Sequence, residues 1–130
     1  MADMARVRIG DDIGRAAVSV VQAATAEGAD AATSVDRSTL ALAVRYSLQL
    51  LAEEAPGGTV EVRVPPFGAV QCIEGPKHTR GTPPNVVETD VTTWLALATG
   101  ALSWADARAA GRVHASGQRA DLGDVLPIIR

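Results

Sequence analysis

The sequence predicts an α+β domain: a single twisted antiparallel or mixed sheet of about four to five strands, covered on one face by helices. Three observations carry that expectation. Apolar residues recur at helical spacing toward both ends of the chain, whereas β-branched residues gather in the middle. The elements run helix, helix, strand, strand, strand, helix, helix, strand, helix, an order that segregates helices to one side of one sheet. Finally, 130 residues suit one domain with one core.

Residues 1–10 show no periodicity and read as a loose leader, leaving 11–130 as the domain, its first helix an addition over 11–27. Asp11 or Asp12 is placed to cap that helix, with Ile13, Ala17, Val20, Val21 and Ala24 on one face. Gly28 and the small polar run to Ser34 read as a linker. A second helix starts at Ser34 or Asp36 and runs to about Glu54. Its stripe of Leu40, Val44, Ser47 or Leu48, and Leu51, widened by Leu42, Tyr46 and Leu50, implies burial against a sheet. Pro56-Gly57-Gly58 stops it.

Thr59-Val60-Glu61-Val62-Arg63-Val64 alternates as a half-buried strand, its valines inward. Pro65-Pro66 and Gly68 turn the corner into a strand over Ala69–Ile73, followed by a long loop from Gly75 to Pro84. Asn85–Thr89 is a third strand. Asp90 caps a helix carrying Trp94, Leu97 or Ala98, and Ala101 or Leu102, which Gly100 closes. Ser103 with Asp106 resembles a capping box for a short helix from Trp104 to Ala110, ended by Gly111. Arg112–Ser116 alternates as a strand up to Gly117. Asp121 is placed to cap a last short helix with Leu122, Val125 and Leu126 inward, ended by Pro127.

Composition narrows the function classes. The chain is 47% hydrophobic and 21% charged but only 3% aromatic, so its core is aliphatic. A formal net charge of −3, with no run of Lys or Arg, argues against a nucleic-acid partner. One cysteine excludes an internal disulfide framework. Asp3, Arg6, Arg8, Asp11 and Asp12 interrupt any signal-peptide h-region, and no apolar run is long enough for a membrane span. The expected location is cytoplasmic.

No catalytic set is legible, and no metal or cofactor is called for. Cys72 and His78 fall short of the four ligands of a structural zinc site, and Cys72 reads as a small core hydrophobe. A thiolate at Cys72, assisted by His78, Lys77 and Arg80, would be the enzyme alternative. His114 alternates with apolar neighbours and reads as outward-facing. In the long loop, His78, Thr79 and Arg80 offer a fork and hydroxyls suited to the polar head of a fatty acid, acyl-CoA or phospholipid. The plainer role for Arg80 is a tie to Glu74 or Glu88.

The set Asp90, Trp94-Leu95, Gly100-Ala101-Leu102, Ala107, Gly111-Arg112-Val113, Gly117 and Asp121-Leu122 resembles the C-terminal half of a sterol carrier protein 2 domain. The run Arg63 to Cys72, with Pro-Pro-Phe-Gly at Pro65–Gly68, and the run His78 to Asn85 resemble a bacterial branch of that family from Asp36 onward. The chain lacks the terminal Ser-Lys-Leu-type address of many eukaryotic members. The resemblance implies a twisted sheet under helices, holding an acyl or sterol-like tail in an apolar tunnel between the layers. Trp94, Leu97, Leu102, Trp104, Val113, Leu122 and Leu126 are then the candidate lining, with a lipid or fatty-acyl ligand as partner. The alternative is a structural or protein-interaction module, homodimeric in one version, that keeps the fold with these residues filling the core. The first helix completes the core, swaps onto a second copy or docks a partner.

Overall fold

A computed structural model of the protein describes residues 7–75 and 85–130. Three helices come first: α1 (Asp11–Ala26), α2 (Ala31–Ser34) and α3 (Arg37–Glu54). Strands β1 (Val60–Val64), β2 (Gly68–Cys72) and β3 (Val86–Glu88) follow, then α4 (Val91–Thr99), α5 (Trp104–Ala109) and β4 (His114–Ser116). The fold is α+β, with one open four-stranded mixed sheet in the order β2-β1-β3-β4. β1 pairs antiparallel with β2 and parallel with β3, and β3 pairs antiparallel with β4.

Alternation fixes which face is covered. Val60, Val62 and Val64 are fully buried. Their register aligns Val70, Val62, Val87 and Ala115 across the four strands. Between them Glu61 and Arg63 face the other side, ion-paired at 2.6 Å. On the inner side α3 lies close over β2, because a Cβ at Gly68 would sit only 3.4 Å from Leu48 Cδ1. Leu40, Val44, Leu48 and Leu51 of α3 are buried, as the stripe predicts.

The caps of α4 and α5 are the ones the sequence predicts. Asp90 accepts from the Thr93 N–H at 2.7 Å, and Gly100 ends α4 at φ 86°, a left-handed conformation that glycine adopts without a Cβ penalty. Ser103 caps α5 through the Asp106 N–H at 3.1 Å.

Elsewhere the structure departs from the sequence reading. In α1 the inward residues are Gly14, Ala17, Val18 and Val21, while Ile13 and Val20 are 60% and 50% exposed. The helix is rotated because Gly14 lies directly on the Tyr46 ring, where a Cβ would meet ring carbons at 2.2 Å. Neither aspartate caps α1; Gly10 occupies that position, and Asp11 instead accepts from the Tyr46 O–H at 2.7 Å. Asp36 likewise makes no side-chain cap on α3. The expected linker contains α2, capped by Asp30 through the Ala32 N–H at 3.0 Å. The last helix is a single turn: Asp121 bonds the Gly123 N–H at 2.7 Å, and Leu122 accepts from Val125 and Leu126. Its continuation is recruited by α4, since the Ile128 and Ile129 N–H groups both donate to the Ala98 carbonyl at 3.0 and 2.9 Å. At the other end, Arg8 pairs with Glu53 and Ile9 exchanges backbone hydrogen bonds with the Gln49 amide, tying residues 8–9 to α3.

Candidate functional site

The sequence reading places an apolar tunnel in the interior between the sheet and α3/α4. Trp94 occupies it, fully buried. Its indole Nε1–H donates to Ser47 Oγ at 2.8 Å, and Ser47 in turn donates to the Ala43 and Val44 carbonyls. α3 thus turns a small polar residue inward to satisfy the one donor that a buried tryptophan brings. Tyr46, Leu48, Leu51, Leu97 and Leu122 are also essentially without exposed surface. A side chain no water-sized sphere can touch lines neither an open nor a sealed void of that size. Around these residues the interior is filled.

The seven sequence-predicted lining residues therefore divide. Trp94 and Leu122 are sealed within the central core, and Leu97 is buried on α4 outside that cluster. Leu102, Trp104, Val113 and Leu126 are half-buried. They stand on the α4–α5 connection, α5, the approach to β4 and the C-terminal tail. Trp104 lies under the Arg108 guanidinium, 5.9 Å from its ring centre, and against Gly123, where a Cβ would be 3.3 Å from its ring. The proposed head-group residues His78, Thr79 and Arg80 lie outside the described residues.

Cys72 points inward on β2, opposite Val60, and is fully buried. Burial pushes its thiol up to about 11, the reverse of what a nucleophilic thiolate needs. His114 is exposed on β4, in register with Glu88. The two border an open depression of about 430 Å³ with Pro65, Thr89, Asp90 and Arg112. Among the described residues no three metal-ligating side chains come together.

A second depression, also about 430 Å³, lies between α3 and the Pro65–Gly68 turn. Sequence reading missed it. Its signal was present in the spacing Arg37, Ala41, Arg45, which places two cations on one helical face.

An open mixed sheet with helices and an aliphatic interior is a small α+β domain consistent with the sterol carrier type. The chain belongs to the family described as bacterial SCP ortholog, whose model matches residues 36–128. The match begins just before α3, so α1 and α2 precede it. A search of curated proteins found no match to the chain.

Proposed function

We propose that the protein is a non-catalytic lipid-binding or lipid-transfer module that lodges an acyl or sterol-like tail between sheet and helices. Family membership over residues 36–128 is the observation that carries this reading. The aliphatic interior supports it, and the buried, raised thiol of Cys72 counts against a thiol enzyme. Because the centre is filled, the tail has to displace side chains as it enters. The half-buried Trp104 and Leu126, which pack against the core, mark the place of entry in this reading, with Leu102 and Val113 proposed to extend it. Each CH₂ moved from water contributes about 0.8 kcal/mol toward that displacement. His78, Thr79 and Arg80 remain the proposed contacts to the head, and the lone reduced cysteine fits a cytoplasmic setting. No described helix is long and apolar enough to cross a membrane.

A second reading is favoured by the sealed centre itself. It is a module that keeps the fold with a filled core and acts through protein contacts, a homodimer being one form. Exposed Ile13 and Val20 on α1 would supply the surface.

Titration with oleate, oleoyl-CoA and cholesterol, read by tryptophan emission in the wild type and in Trp104→Phe, separates the two. Saturable change with one ligand class, reduced in the variant, supports the lipid module. Unchanged emission with all three, together with a dimer in light scattering, transfers the assignment to the second reading.

A further inference from the structure

The depression against α3 has chemistry that the lipid reading does not use. Arg37 and Arg45 stand on one side of it, with Ser38 and the small side chain of Ala41 lining the same wall. Pro66 and Phe67 form the opposite wall. The Arg37 guanidinium stacks over the Phe67 ring, 5.2 Å from its centre. Arg45 Nε donates to the Phe67 carbonyl at 3.1 Å, which leaves its terminal N–H groups for another acceptor. Among the described residues, Arg8, Arg63 and Arg130 each pair with a glutamate, whereas Arg37 and Arg45, like Arg15, Arg108, Arg112 and Arg119, pair with no side-chain carboxylate; what sets Arg37 and Arg45 apart is that both are held by Phe67. Asp36 borders the same space, but its carboxylate accepts from the Ser38 hydroxyl of its own helix.

We propose that this groove binds an oxyanion, a phosphate or carboxylate, held between the guanidinium groups of Arg37 and Arg45. A planar fork held in place by an aromatic ring or a carbonyl is suited to such a group, because little side-chain freedom remains to be lost on binding. The Pro-Pro-Phe-Gly turn thereby acquires a role, since Phe67 presents its ring to one arginine and its carbonyl to the other. The inference stands independently of the lipid reading, since the oxyanion is either free or the headgroup of a lipid.

The test is titration of the ¹⁵N-labelled full chain with inorganic phosphate at constant ionic strength, followed by amide shifts. Sedimentation with phosphatidylcholine vesicles containing phosphatidylglycerol runs in parallel. Saturable shifts centred on Ser38, Ala41, Arg45 and Phe67 are expected. Arg37→Gln weakens binding about tenfold, and Ala41→Leu, which fills the groove but keeps both charges, abolishes it. Vesicle binding that Ala41→Leu removes identifies a lipid headgroup; phosphate saturation without vesicle binding identifies a free oxyanion. Shifts that scatter over other arginines without saturating, or an Arg37→Gln variant that binds phosphate as the wild type does, overturn the proposal.

Discussion

Replacing Gly14 by alanine tests how α1 is seated, because two rules of thumb give opposite signs. In a helix interior the substitution ordinarily stabilises by about 0.8–1.0 kcal/mol, through lower backbone entropy in the unfolded chain. Here the new methyl would lie 2.2 Å from Tyr46 Cγ and Cδ1 and 2.5 Å from Cδ2, more than an ångström inside ordinary contact. Tyr46 is fully buried and its hydroxyl is held by Asp11 at 2.7 Å, so the ring has nowhere to retreat. Overpacking of this kind costs about 1–3 kcal/mol. Displacing the ring also weakens a hydrogen bond to a carboxylate, a bond of a class worth about 1.5–3 kcal/mol. After the helix-propensity gain is subtracted, the net expectation is a loss of about 2 kcal/mol. Urea unfolding followed by Trp94 emission measures it, with Ser19→Ala on the exposed face of α1 as a near-neutral control. A Gly14→Ala protein as stable as wild type, or more so, refutes the seating of α1 on Tyr46.

Two further predictions concern the core. Ser47→Ala leaves the buried Trp94 indole N–H without an acceptor and is expected to cost about 1–3 kcal/mol in urea unfolding; an unchanged midpoint would show that this bond is dispensable. The Cys72 thiol is raised by burial from an ordinary 9.0 to about 11, so the unfolded state loses its proton first as pH rises. Stability is therefore full below pH 9.0 and declines toward about 11, a fall that Cys72→Ala should flatten in thermal scans across that window. Tyr46, raised by burial and then by its bond to Asp11, adds to the alkaline loss in both proteins. Parallel pH profiles for wild type and Cys72→Ala would contradict the thiol's share.

What could be read from the sequence divides by the range of the physics. Asp90, Gly100, Ser103 and Gly111 act on backbone groups one to three residues away, so α4 and α5 were legible from local chemistry. The valines of β1 were legible because alternation has a period of two and one covered face. The rotation of α1 was not, because it depends on a glycine meeting a ring 32 positions later, and glycine carries no weight in an apolar stripe. Asp121 offered a helix cap, but the chain bonds to Ala98 of α4 within a few residues, and that long-range partner decides the tail's conformation. Trp94, Leu97 and Leu122 were recognisable as apolar; whether apolar residues line a tunnel or fill it depends on how the opposing layers meet. The cation pair at Arg37 and Arg45 was overlooked because it acquires meaning only once Phe67 is folded against it.

The most direct test of the lipid reading is native mass spectrometry of protein purified without detergent, followed by organic extraction of whatever accompanies it. A co-purifying lipid near one per chain, removed by extraction and rebound on titration, is the expected result. A bare chain that rebinds no fatty acid, acyl-CoA or sterol would contradict it and leave the filled core as the functional state.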